Sequence, residues 1–179
     1  MEYNECMNAL LVKLLADGFI IPVVLLGGWA LLFFIPKGHR LESYSRILMA
    51  GLTAYLVATL IASIYQPEFE RPFQILGQKA GAYYLNNPGF PSDHVLFCMA
   101  ITLAVWFEAK RKKIALSLLI LTILVALGRV LALVHTPLDV LGGFIIAFAG
   151  VPWYLQRASS ARHRQTKPST RKKLKQHVQ

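Results

Sequence analysis

Residues 114–134 read IALSLLILTILVALGRVLALV, an apolar run with a single ionisable side chain, Arg129, six residues before His135. A stretch of about 20 apolar residues crosses the hydrocarbon core of a bilayer as a helix. The lone guanidinium then needs explaining, because an ionisable group in hydrocarbon is costly unless it is paired or lines a polar cavity. Working outward, comparable runs occupy residues 18–36, 47–65, 94–107 and 138–155. The third is short for a span unless its helix starts at Ser92 and continues through Glu108 and Ala109. These runs predict an all-α, polytopic helical membrane bundle of about five transmembrane helices. Residues 1–17 mix apolar and charged side chains, among them Lys13 and Asp17, and predict an N-terminal interfacial helix.

Composition supports one membrane domain. The chain has 179 residues, 55% of them hydrophobic, and a mean hydropathy of +0.48. A soluble domain of this size would rarely hold several near-continuous apolar runs of about 20 residues. The +10 net charge does not point to nucleic acid, because its distribution is uneven. Eight of the nineteen lysines and arginines fall in residues 157–175, a stretch without an acid. A basic tail after the last span marks the cytoplasmic side and its anionic lipids. The expected division is a membrane-embedded domain over residues 1–157 and a basic, disordered cytoplasmic tail over 158–179. Glu2 and Glu5 stand where a signal peptide carries lysines, and no small-residue cleavage pattern follows, so the first span is expected to stay in the mature protein. Cys6 and Cys98 are too far apart to read as a redox or metal-ligand pair, so no metal site and no cofactor are expected.

Loop charges set the orientation. Residues 37–46 carry Lys37, Arg40 and Arg46 against Glu42, and residues 108–113 carry Lys110, Arg111, Lys112 and Lys113 against Glu108. With five spans these two segments and the tail share one side, which the positive-inside rule makes the cytoplasm. The loop 66–93 and the turn 135–137 then fall on the outer side, in the plasma (inner) membrane of the cell.

Three stretches on that outer side carry chemistry: Arg71-Pro72, then Pro91-Ser92-Asp93-His94, then Arg129 with His135 and Asp139. A planar guanidinium offers phosphate oxygens paired hydrogen bonds. A neutral, oriented imidazole at His135 can attack phosphorus, and a carboxylate four residues on, Asp139, can hold its other nitrogen. Thr136-Pro137-Leu138-Asp139 reads equally well as an N-cap, an N1 proline and an acidic first turn opening the last span. Ser92 reads as the N-cap of the third span, where free backbone N–H groups attract anions. An unperturbed imidazole titrates near neutrality, so His94 is a candidate to protonate a leaving oxygen. Lys79, in the same outer loop, is a further candidate phosphate contact.

In this order and spacing, Arg-Pro, Pro-Ser-x-His and Arg-x5-His-x3-Asp resemble the type 2 phosphatidic acid phosphatase superfamily over about residues 64–145. The resemblance implies a metal-independent phosphohydrolase in a helical membrane bundle, acting on a lipid phosphate at the outer face. It implies His135 as the nucleophile that forms a phosphohistidine, Asp139 as its orienting carboxylate and His94 as the general acid. Arg71, Ser92, Arg129 and backbone amides near Asp93 would hold the phosphate. Three positions depart from the family pattern. Ile64 stands where a lysine commonly precedes the arginine by seven residues, Asp93 replaces a glycine, and Gly128 replaces a serine. Arg-Pro-Phe, Phe-Pro-Ser-Asp-His and His-x-Pro-Leu-Asp-Val-Leu-Gly-Gly are similar to the bacterial undecaprenyl-diphosphate phosphatases of this superfamily, which share the aspartate. The implied reaction is hydrolysis of undecaprenyl diphosphate to undecaprenyl phosphate in cell-wall lipid recycling, with a lateral opening between spans for the polyprenyl chain. The alternatives are phosphatidate or phosphatidylglycerophosphate hydrolysis, or a catalytically impaired relative that binds anionic lipid. The partners expected are the lipid phosphate and membrane lipids, with no nucleic acid.

Overall fold

The computed structural model describes residues 2–66, 70–85 and 89–156, with side chains from residue 7 onward. The proposed tail, 158–179, and Cys6 lie outside what it describes in side-chain detail. The polypeptide folds as an all-α bundle, with no strand among the described residues. Helix α1 (Glu2–Lys13) passes through a π-helical turn, Leu14–Gly18, into α2 (Ile20–Phe34). A long α3 (Arg40–Ile64) and a single turn α4 (Pro72–Ile75) follow. Then come α5 (Asp93–Ala104), prolonged by a π-turn at Val105–Ala109, α6 (Lys112–Leu131), and α7 (Pro137–Ala147), which continues through a tight turn at Phe148–Gly150 to residue 156.

Four of these helical stretches are long and apolar enough to cross a membrane: Met7–Phe34, Lys37–Ile64, Lys112–Leu131 and Pro137–Gln156. The helix at 93–109 is not one of these four, but it opens after the N-cap Ser92 and continues through Glu108 and Ala109, the extension that a short span needs. The N-terminal segment is helical as expected. It runs continuously into the first span, lengthening it to 28 residues.

The bundle is held by small side chains. Ala50, Ala54 and Ala58 repeat at helical spacing on α3 and are all buried against α5 and the last helix. At Gly150 an added Cβ would lie 2.5 Å from the Ala50 carbonyl oxygen, so the two backbones touch. In lipid, where tails are as apolar as leucine, such close approach supplies van der Waals contact that larger residues would prevent. The large residues point outward instead: Leu25, Phe33, Leu48, Leu56, Ile120, Leu131 and Ile145 are all exposed, as a lipid-facing surface requires.

The two ends of the bundle differ in chemistry. At one end Arg46 donates from Nε and Nη2 to the two carboxylate oxygens of the buried Glu108, at 2.7 and 3.0 Å. Arg111 stacks over Phe34 with its Cζ 4.1 Å from the ring centroid. Lys110 adopts a left-handed conformation, φ 55°, that closes the α5 segment. The basic loops 37–46 and 108–113 therefore meet at this end. The outer-loop motifs gather at the other.

Candidate active site

The end of α6 builds the centre of the site. Arg129 lies in its last turn with only 1% of its surface exposed. The helix stops at Ala132, and Leu133 takes up φ 58°, a left-handed conformation that costs a branched residue roughly 1–2 kcal/mol. That reversal aims three successive carbonyls at the loop 71–85. Ala132 accepts from the Gly81 N–H at 3.0 Å, Leu133 from the Phe73 N–H at 3.0 Å, and Val134 from Arg71 Nη1 at 2.5 Å. The chain then folds back, and the His135 N–H donates to the Arg129 carbonyl at 3.3 Å. One strained residue thus sets His135 beside Arg129 and ties both to the Arg71 loop.

His135 is buried, and its Nδ1 stands 3.4 Å from Asp139 Oδ2. Asp139 is shared between two duties. Its Oδ2 accepts the Thr136 N–H at 2.8 Å, while Thr136 Oγ1 accepts the Asp139 N–H at 3.2 Å, a reciprocal capping box at the start of α7. The structural and the orienting readings of this aspartate are therefore compatible: the cap fixes the carboxylate one turn from the imidazole. Burial lowers the His135 pKa from its ordinary value, the Asp139 carboxylate opposes that, and the Arg129 and Arg71 charges reinforce it. The neutral ring is favoured, with Nδ1 toward Asp139 and Nε2 directed away.

The second motif approaches from α5. Ser92 occupies the N-cap position, yet its hydroxyl makes no capping bond. Its backbone N–H donates to the Asp139 carbonyl at 3.0 Å, which fastens the start of α5 to α7. Gly143 permits this approach, since a Cβ there would lie 2.7 Å from the Ser92 carbonyl oxygen. Gln66 Nε2 bridges the Ala62 and Phe90 carbonyls at 2.7 and 3.1 Å, anchoring the same turn to the end of α3. His94 follows in the first turn of α5, half-buried and near enough to Arg129, His135, Asp17 and Arg71 for their charges to act on it.

Arg71 is buried, and its Nη1 and Nη2 donate to the Val134 and Leu85 carbonyls. Burial lowers its pKa, opposed by the Asp139 and Asp93 carboxylates and by Tyr84, and a guanidinium stays charged under any such shift. Asp93 is exposed at the rim, where its charge reaches Arg71 and Arg129. Lys79 is exposed on the loop. Ile64, at the family's lysine position, is 87% exposed at the end of α3.

Among the described residues, four buried side-chain polar atoms lack a hydrogen-bond partner, and three of them lie here: Ser92 Oγ, Arg129 Nε and His135 Nδ1, the last facing Asp139 Oδ2 at 3.4 Å. Buried polar atoms are nearly always satisfied, so a cluster of unsatisfied ones marks a place built for something polar. No group of three His, Cys, Asp or Glu side chains is gathered there as metal donors would be, among the described residues.

The PAP2 superfamily model matches residues 43–162, which include all three stretches. The chain belongs to the PAP2 superfamily. It is also 32% identical over 110 residues to the undecaprenyl-diphosphatase BcrC of Bacillus subtilis (strain 168), a match that covers 59% of this chain and 54% of that protein. The chain thus matches about half the length of this curated relative. No solved structure matches it.

One residue of this candidate site lies outside the three motif stretches. Asp17, in the π-turn of the first span, holds Arg129 Nη1 with Oδ1 at 2.9 Å. Its signal was available, because a lone acid beside a long apolar run is a functional candidate by cost alone. It was masked by assigning residues 1–17 to the interface.

Proposed function

We propose that this chain is a membrane-embedded phosphohydrolase that removes the terminal phosphate of undecaprenyl diphosphate at the extracytoplasmic face. The observation that carries the reading is the gathering of Ser92, Arg129 and the Asp139-paired His135, from separate segments, with the buried Ser92 Oγ and Arg129 Nε left without a hydrogen-bond partner. Family membership and the likeness to BcrC support the choice of a polyprenyl diphosphate.

In the mechanism, neutral His135 attacks the terminal phosphorus through Nε2, forming a P–N bond as the P–O bond to the lipid phosphate breaks. His94 delivers a proton to the departing oxygen. The ring of the phosphohistidine carries positive charge, which the Asp139 carboxylate offsets across Nδ1. Water then attacks the phosphorus while His94 takes up its proton, so that the P–N bond breaks and inorganic phosphate leaves. Arg129, the Ser92 hydroxyl and the backbone N–H groups that open α5 face the phosphoryl oxygens, where the charge gathers in the transition state. Arg71 acts from behind, binding the carbonyls that shape the turn and contributing its charge.

A lateral path for the lipid chain fits the same reading. Between α3 and α5 lies a groove of about 490 Å³, lined by Leu48, Leu52, Tyr55, Leu96 and Phe97, with Asp93 among its lining residues. An apolar chain in this groove would hold its head group beside the first turn of α5.

Purified protein in detergent, assayed for phosphate release with chelator present, tests the proposal. Undecaprenyl diphosphate should turn over faster than phosphatidate or phosphatidylglycerophosphate, and His135→Ala should lower the rate at least about 10³-fold. Faster release from phosphatidate would replace the substrate. Unchanged turnover in His135→Ala would remove the phosphohistidine route, and a silent wild-type protein would favour an impaired, lipid-binding relative.

A further inference from the structure

The site contains a carboxylate that the phosphate chemistry does not call for. Arg129 Nη1 donates both to Asp17 Oδ1 at 2.9 Å and to the Tyr83 carbonyl at 2.7 Å, and the Tyr83 N–H donates to Asp17 Oδ2 at 3.0 Å. Asp17, the Arg129 guanidinium and the Tyr83 peptide therefore close a small ring of charge-assisted hydrogen bonds. Asp17 is separated from Arg129 by 112 positions in sequence, so the contact depends wholly on how α1 docks on α6.

Two backbone features make that docking possible. Gly128, the residue before the arginine, lies directly under the π-turn: an added Cβ would fall 2.4 Å from the Ala16 nitrogen and 2.5 Å from the Leu15 carbonyl carbon. The glycine lets the first span come within touching distance of α6. The π-turn at Leu14–Gly18 adds a residue to the helical turn and points Asp17 inward while the flanking Leu14 stays exposed. Ala16 is fully buried at the contact.

The geometry divides the guanidinium into two edges. Nη1 is engaged by Asp17 and Tyr83, whereas buried Nε has no partner among the described residues. The Nε–Nη2 edge is the one that gives paired hydrogen bonds to a phosphate. We infer that Asp17 is a positioning residue for the reaction, clamping Arg129 by Nη1 so that its Nε–Nη2 edge faces the phosphoryl group. Asp17 itself does not meet the substrate. Its side chain is 25% exposed and holds Arg129 Nη1 at 2.9 Å. The first span is thereby part of the active site, although it lies before the residues that match the family.

This inference rests on the phosphohydrolase reading and is tested beside it, with undecaprenyl diphosphate as the probe and inorganic phosphate as a competing product. Asp17→Asn keeps the shape of the side chain and one acceptor oxygen but removes the charge, while Asp17→Ala removes the clamp. Both should lower kcat/KM about 10- to 100-fold and raise the inhibition constant for inorganic phosphate. In an Arg129→Ala background the same two changes should cost almost nothing further. Asp17→Glu should recover part of the loss. If wild type hydrolyses the lipid and Asp17→Asn equals it, the positioning role is overturned and the enzyme reading stands. Equal losses in the presence and absence of Arg129 would show a purely structural part and overturn it as well. A faster Asp17→Asn enzyme would reverse the sign, making Asp17 a competitor for the phosphate. If wild type releases no phosphate, the enzyme reading falls and takes this role with it.

Discussion

His135 is governed by opposed forces whose signs can be followed. Burial lowers its pKa, the Arg129 and Arg71 charges lower it further, and the Asp139 carboxylate 3.4 Å away raises it. An ordinary histidine titrates near 6.5, so the folded value lies below that and the neutral ring, which the proposed attack requires, is favoured at neutral pH. Asp139→Asn preserves an acceptor for the Thr136 N–H but removes the raising charge. It should lower the His135 pKa again, moving the acid limb of kcat/KM to lower pH while also reducing the rate. Histidine-labelled NMR and pH–rate profiles check both, and a pKa that rises in Asp139→Asn would contradict the account. Linkage has the same sign. Because the folded pKa lies below the unfolded one, the stability tied to neutral His135 is present above about pH 6.5 and declines as pH falls through the histidine range.

At the scale of elements, local spacing made some features legible and chain-distant contact hid others. Thr136-Pro137-Leu138-Asp139 declared the start of α7 because a capping box lies within four residues, and the structure forms it as read. Arg129 and His135 were equally legible, six residues apart at a helix end. Ser92 was placed correctly as an N-cap, but its idle hydroxyl follows from the surrounding packing, which no local pattern encodes. Asp17 and Gly128 lay further out of reach. Their meaning comes from one helix touching another more than a hundred residues away, and only as a pair. That contact makes a sharp prediction about glycines. Gly128→Ala places a Cβ against backbone atoms, where no flexible side chain can give way, and should cost about 1–3 kcal/mol with a fall in turnover. Gly28→Ala on α2, where nothing lies within 4 Å of the new Cβ, should instead gain about 0.5–1 kcal/mol. Thermal melts in detergent separate the two, and equal effects would mean that the α1–α6 docking is not tight.

For the whole molecule, charge distinguishes the two ends of the bundle and argues which one faces the cell exterior. The ion pair of Arg46 with Glu108 and the stacking of Arg111 on Phe34 put the two basic loops at one end, while Arg71, Ser92, Arg129 and His135 meet at the other. An excess of lysine and arginine is retained on the cytoplasmic side during insertion. In sequence the eight basic residues at 157–175 come after the last apolar run, so the expectation of a single basic side requires an odd number of spans. Five membrane-embedded helices, including the short 93–109 segment, give that parity. Counting only the four long ones would set the tail apart from one of the basic loops. The positive charges therefore argue that the short helix also passes from one face to the other. Single cysteines in a protein with Cys6 and Cys98 replaced by alanine test this directly. A membrane-impermeant maleimide added to intact cells should label Gln78→Cys, exposed on the loop beside the site. It should leave Gly38→Cys, exposed on the basic loop, unlabelled until the membrane is opened. The reverse pattern would place the site in the cytoplasm and exclude a substrate head group presented from outside. Lys113→Cys, exposed beyond the 93–109 helix, should be protected like Gly38→Cys, and its labelling together with Gln78→Cys would show that the helix at 93–109 does not cross.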